Sequence, residues 1–371
     1  MKNWKVVFIL ALQTLLLSAL TILCVVPFSC RVSEEGIMMV GGDYVSPVLE
    51  EVTVLDEKNV SVNFSERIKM KSFVVSLQIK DISDSSEHSQ TAELSPALKA
   101  AAGAYGKVEA DYSLSEDGCM VTFSAADKYE VGKDYEIFGV VEDKGGNTLT
   151  FCVPFRGYNP CIPKLIMTEL LVKHDKNTYK NEFVEILALS DGNLAGLELV
   201  SGADGEKKKF VMPPVEVVTG EVFLVHLRSL GEGCLTETDN LNEATATYSG
   251  VDIRDLWAEN EGSALSDSND VIILRQGPEG ELMDAFMYND KKSEDWKKPK
   301  TFAELALAAG IYDSVDVDQV FPSKGVTPAK SFQRTNAAEL RSAALNGSLE
   351  EYPVKYDEEN WVLLKATPGV L

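Results

Sequence analysis

Three glutamates, Glu169, Glu182 and Glu185, stand in stretches that are otherwise largely apolar. Paired carboxylates can serve as general acid and base, or hold a cation. They can equally meet an arginine or close a loop, and Arg334 is a candidate counter-ion. The expected role of Glu169, Glu185 and Arg334 is a structural ion pair. The three histidines, His88, His174 and His226, are scattered and lack metal-ligand spacing. The chain carries no Gly-rich phosphate loop, no GxSxG and no paired-cysteine motif. The expectation is a chain that is not an enzyme, with no catalytic residue, metal or cofactor.

The segments that must position these groups read as strands. Ile166 to Val172, Glu182 to Ile186, Leu194 to Leu199, Phe210 to Pro213 and Val222 to Val225 are short apolar or mixed runs. Leu265 to Leu274 and Met283 to Tyr288 follow, separated by the turn Gly277-Pro278-Glu279-Gly280. Ahead of Gly157-Tyr158-Asn159-Pro160 lies another set of strands: Val45–Val54, Asn59–Phe64, Phe73–Ile79, Cys119–Phe123, Tyr135–Val141 and Leu149–Phe155. Asp143 to Asn147 is a strong turn signal between the last two. Asp143 and Asn147 have oxygens that suit Ca²⁺, but the turn accounts for both without metal. Asp81 to Ala92 reads as a solvated loop and Pro96 to Ala104 as a short helix.

Two resemblances attach to these strands. Pro47-Val48-Leu49, Val62 to Ile68, and Val141-Glu142-Asp143 with Gly146-Asn147 resemble bacterial Ig-like domains of surface-layer type. From residue 163 onward the order of motifs resembles the bacterial lamin tail domain: Met167–Leu170, Glu182–Ile186, Leu194–Leu199, Phe210–Pro213, Leu265–Leu274, Met283–Tyr288, Ser331–Arg334, then Asn360-Trp361 with Thr367-Pro368-Gly369. The resemblances imply an all-β fold of two immunoglobulin-like β-sandwich domains in tandem, residues 44–157 and 163–371, joined by a linker at 158–162. The second domain carries insertions at 230–262 and 289–330. Val251 to Trp257 reads as a helix in the first. In the second, Thr301 with Glu304 forms a capping box, Phe302, Leu305 and Ala309 share a face, and Gly310 is the stop. Both insertions follow strands and are expected at the sandwich ends, with helices confined mainly to them. Long loops are frequent binding elements, so Trp257, Trp296, Phe302 and Tyr312 are candidate exposed aromatics. The alternative is that they pin the insertions onto the sandwich.

Residues 1–30 read as an export signal or membrane anchor. Lys2 and Lys5 precede the apolar run Val6 to Leu23, and Val26-Pro27-Phe28-Ser29-Cys30 resembles a loose lipobox. Cys30 is the expected lipidation site, and residues 31–43 a tether. Cys24 fits less well, and an uncleaved helix is the alternative. Both readings export the rest of the chain. Of the remaining cysteines, Cys119–Cys152 with Cys161–Cys234 is one pairing, and four free thiols the other.

A net charge of −23 repels phosphate backbones, so nucleic acid is an unfavourable partner despite Lys207-Lys208-Lys209. The expected function is a non-catalytic cell-envelope lipoprotein, held at the membrane by its amino-terminal lipid or helix, with a protein or glycan of the envelope or host surface as partner. The alternative is an accessory module of an extracellular nuclease or hydrolase on a separate chain. If Cys30 is acylated, cells fed labelled palmitate should incorporate label into the wild-type protein but not into Cys30→Ala. An unlabelled wild type with an intact amino terminus by mass spectrometry would contradict this.

Overall fold

The computed structural model describes residues 32–33, 36–37, 45–78, 106–173, 182–229, 232–246, 252–259, 262, 265–278, 280–290, 295–296 and 298–371. Cys24, Cys30, His88, His174, the 81–92 loop and the 96–104 helix lie outside the described residues. The described chain is mostly β, as expected.

The first half contains β1 (Leu49–Val54), β2 (Asn59–Phe64), β3 (Lys69–Leu77), β4 (Lys107–Val108), β5 (Ala110–Leu114), β6 (Met120–Ala125), β7 (Asp134–Glu142) and β8 (Thr148–Arg156). Two antiparallel sheets form, in the orders β1-β2-β6-β5 and β8-β7-β3-β4. Their strands alternate; along β6, Val121, Phe123 and Ala125 are buried and the intervening residues are not. The buried side chains of both sheets, among them Val62, Phe64, Phe123, Ile137 and Phe151, meet in one core. The β7–β8 turn closes as its sequence anticipates. Asn147 N donates to Asp143 Oδ1 at 2.8 Å and Asn147 Nδ2 to Asp143 Oδ2 at 2.7 Å, with Gly146 at φ 87°. The two side chains satisfy each other, which accounts for both residues in the turn.

The second half contains β9 (Leu165–Leu171), β10 (Phe183–Ala188), β11 (Gly192–Asn193), β12 (Glu198–Ser201), β13 (Phe210–Val211), β14 (Glu216–Val217), β15 (Val222–His226), β16 (Arg254–Trp257), β17 (Asn269–Arg275) and β18 (Leu282–Asn289). Helix α1 (Lys300–Ala308), β19 (Phe321–Pro322), β20 (Lys330–Arg334), helix α2 (Ala337–Leu345) and β21 (Trp361–Lys365) follow. A six-stranded sheet runs β16-β15-β10-β9-β20-β21 and a five-stranded sheet β13-β12-β17-β18-β19, with β11 and β14 paired separately. The inner faces of the two large sheets share one core that includes Leu170, Ile186, Phe223, Ile272, Phe286 and Phe332.

Strands β9 and β10 are buried at every position, not at every second one. The cause is that the outer face of the six-stranded sheet is covered too. Helix α2 and the 349–354 segment pack on Ile166 and Leu187, and Ile253 with Ala366 on Leu171, Phe183 and Leu224. Continuous apolar runs are what a doubly covered strand requires.

Several expectations need correction. Residues 254–257 form an edge strand, not a helix, parallel to β15. Its outer edge is closed by side chains from earlier in the same insertion. Glu237 Oε2 accepts from Asp255 N at 2.8 Å, and Thr236 Oγ1 from Trp257 N at 2.9 Å. Helix α1 begins at Lys300 with Pro299 as its cap residue, so Thr301 lies inside it and makes no capping box. Phe302 and Ala309 pack inward with Ala303 and Ala306, whereas Leu305 turns toward solvent. Gly310 does end the helix, at φ 73°. The second insertion lies on the outer face of the five-stranded sheet, against Val200, Ile273 and Met287, and not at an end. Helix α2 lies outside both insertions. Cys119, Cys152 and Cys161 are free thiols, so neither proposed disulfide forms.

Candidate functional site

The strongest polar constellation is built on a bulge in β9. Before it, Leu165 and Met167 face the inner core and Ile166 the outer cover. Register against β10 then slips between Met167 and Glu169, leaving Thr168 as the extra residue. The slip returns Leu170 to the inner core and keeps Glu169 on the outer side. There it lies directly opposite Glu185 of β10. The two acids are 2% and 1% exposed.

Each carboxylate is met by neutral donors. Ser331 Oγ donates to Glu169 at 2.5 Å and Thr367 N at 3.0 Å. Thr168 Oγ1 donates to Glu185 at 2.7 Å and Gly369 N at 2.5 Å. Burial raises both acids, Glu185 to about 7, against the downward pull of these hydrogen bonds. Glu182 is also fully buried, but alternation along β10 turns it toward the inner side, where its charge acts on Tyr288. The sequence cluster of three is therefore a pair plus one.

The expected ion pair with Arg334 does not form. Glu169 is the cross-strand partner of Gln333, and the next residue of a strand points to the opposite face. Arg334 consequently enters the space between the sheets, where Nη2 meets Asp284 at 3.0 Å and Nε donates to Met167 O at 2.9 Å. Its guanidinium lies 4.7 Å from the centre of the Trp361 ring. Asp284 accepts from Met167 N at 2.7 Å and from Ala285 N at 2.9 Å. A register slip between Leu274 and Arg275 on β17, against β18, leaves Met283 extra and turns Asp284 inward. Burial raises the Asp284 carboxyl, although Arg334 pulls it the other way. Sequence reasoning missed Asp284. The available signal was a lone acid within the apolar run Leu282–Tyr288.

Two further buried groups follow the same pattern. Asp270 accepts from Ser201 Oγ at 2.6 Å, Ala203 N at 2.7 Å, Ser266 N at 3.2 Å and Val271 N at 2.8 Å. It ties the loop after β12 to the loop before β17. His226 Nε2 lies 2.6 Å from Asp255 Oδ1, and its ring stacks on Trp257 at 3.8 Å. Desolvation lowers the His226 pKa against the pull of Asp255.

The aromatic candidates are corrected as a group, because all four are buried. Trp257 stacks on His226, Trp296 Nε1 donates to Val315 O, Phe302 packs beneath α1, and Tyr312 stacks on Tyr356 at 4.3 Å. They pin the insertions to the sheets, which is where burial of so much apolar area is most favourable. Among the described residues no group of three or more His, Cys, Asp or Glu side chains is placed to hold a metal ion.

The buried acids make the domain's stability depend on pH. Burial lifts Asp270 from 3.8 to about 6. A folded-state pKa above the unfolded one gives stability that is full below pH 3.8 and lost as pH rises through about 6. Asp270→Asn mimics the protonated acid, so its stability relative to wild type should improve by up to about 3 kcal/mol between pH 4 and 7. Urea denaturation at stepped pH measures this; a pH-independent difference would contradict it.

Over 274 residues the chain is 24% identical to an uncharacterized protein of Treponema pallidum (strain Nichols), covering 68% of this chain and 67% of that one. The N-terminal part of the bacterial S-layer protein SbsC is similar at 17% identity and a TM-score of 0.24, over 48% of this chain. The chain spans 40% of that S-layer structure's length. A DUF4876 family protein from Bacteroides thetaiotaomicron VPI-5482 is similar at 10% identity and a TM-score of 0.26, over 72% of this chain and 82% of that one. Residues 163–363, more than half of the chain, match the family model TP_1001_2nd, described as a protein second domain, and the chain belongs to that family.

Proposed function

We propose that this chain is an exported, lipid-anchored protein of the bacterial envelope whose role is binding and not catalysis. In this reading its halves are two immunoglobulin-like sandwiches, the second of lamin-tail type, held away from the membrane by the 31–43 tether. The observation that carries the non-catalytic reading is the use made of the buried acids. Glu169, Glu185, Asp270 and Asp284 each accept two or more hydrogen bonds from within the fold. A general acid or base needs a proton path to a substrate, and these carboxylates spend their lone pairs on closing loops and joining sheets. The export reading rests on Lys2, Lys5, the apolar run and Cys30, and the envelope partner on the acidity and the two-domain build.

The test is capture of envelope components with the mature protein, together with assays for nuclease and glycoside hydrolase turnover. The reading expects a saturable envelope ligand whose binding survives Glu185→Gln, and no turnover. Turnover by the wild type that is lost in a folded Glu185→Gln variant would overturn it. Capture of a separate nuclease or hydrolase chain would instead favour the accessory-module reading.

A further inference from the structure

Segment 366–371 crosses the outer face of the six-stranded sheet directly over the two opposed acids. Thr367 N donates to Glu169 at 3.0 Å, and Gly369 N to Glu185 at 2.5 Å. Gln333 Nε2 fixes the segment's start, donating to Lys365 O at 2.8 Å and Thr367 Oγ1 at 3.2 Å. Gly369 has φ 81°, and a Cβ built there would stand 1.9 Å from Ile253 Cδ1. Position 369 therefore suits glycine, which lets the amides of 367 and 369 reach the two carboxylates.

On this face His226, opposite Phe183, and Asp255, beside Leu224, are paired with each other at 2.6 Å, and the groups that donate to or directly oppose the two glutamates are neutral. They are Thr168 from β9, Ser331 and Gln333 from β20, Leu224 of β15 opposite Glu185, and Thr367 and Gly369 from the segment above. The titratable neighbour acting on Glu185 is Glu169. If both ionised beneath a closed segment, two like charges would lie out of water with no cation among their described partners to offset them. A single proton shared by the pair removes that conflict. Lifting the segment removes it differently, by letting water reach the second charge.

We propose that segment 366–371 is a strap whose closure requires a proton held by the Glu169–Glu185 pair, and that ionisation of the second carboxylate opens it. Cross-strand opposition, near-complete burial and strap amides on both acids carry the inference. Burial, which raises Glu185 to about 7, sets the pH at which it acts. The closed strap holds more protons than the open one, so closure weakens as pH rises through that value.

Amide hydrogen exchange of residues 366–371 in the full chain, from pH 5 to 9 and corrected for the intrinsic rate, tests this. Opening should increase by up to roughly tenfold per pH unit between the ordinary carboxylate value of 4.5 and about 7, and level off above, while β10 and α2 keep their protection. Glu185→Gln should stay closed and lose the pH dependence. Gly369→Ala, whose added Cβ meets Ile253, should be open at every pH. The proposal is overturned by pH-independent opening in the wild type, by pH dependence that persists in Glu185→Gln, or by loss of protection across the whole domain in step with the strap.

Discussion

Arg334 and Asp284 meet in the space between the six- and five-stranded sheets, and both also bind the backbone of Met167. Taking either charge out of water costs several kcal/mol, and mutual attraction offsets this only when the remaining lone pairs and protons are also satisfied. Here they are met by a backbone amide and carbonyl of β9, by the Ala285 amide, and by the face of Trp361. Four strands, β9, β18, β20 and β21, are thereby fixed at one point. The arrangement depends on both bulges. Thr168 is the extra residue beside Met167, and Met283 the one that turns Asp284 inward.

The same bulge decides what happens on the other side of the sheet. Without Thr168 as an extra residue, strict alternation would send Glu169 into the apolar core and Leu170 outward. With it, Glu169 stands opposite Glu185, and Thr168 supplies one of the donors. An outer face that carries Leu171, Phe183, Leu187, Leu224 and the His226–Asp255 pair acquires a second polar centre. The chain covers that centre with backbone amides from 367 and 369, which suit carboxylates and add no charge of their own. The inner clamp neutralises its acid with a cation; the outer pair has only neutral donors. That difference makes one a fixed joint and the other sensitive to protons.

The sequence disclosed the strands and most of the turns because those signals are local. Asp143 to Asn147 and Gly277 to Gly280 close hairpins through their own residues. Both members of the clamp lie within sequence motifs, Asp284 in Met283–Tyr288 and Arg334 in Ser331–Arg334. What could not be read was which face each occupied, since a one-residue bulge reverses the facing of everything beyond it. Facing is therefore what decides that Arg334 meets Asp284 and not Glu169 or Glu185. The strand Arg254–Trp257 is illegible locally for a related reason: its partners are β15 and, on its outer edge, Thr236 and Glu237, distant in sequence. Helix α2 has helix-forming residues but little apolar stripe, so only propensity and Gly347 just past its end signalled it. The burial of the aromatics is set by what their insertions fold onto, the five-stranded sheet for Trp296, Phe302 and Tyr312 and the His226 ring for Trp257.

The claim that the Arg334–Asp284 clamp joins the sheets is tested most directly by a double-mutant cycle with Asp284→Ala and Arg334→Ala, read by urea denaturation near neutral pH. Each single change should cost about 3–5 kcal/mol, because it leaves the other group buried and unmatched. The double variant should cost much less than the sum of the two. Additivity within about 0.5 kcal/mol would show that the two side chains stabilise the fold independently, and would contradict the clamp.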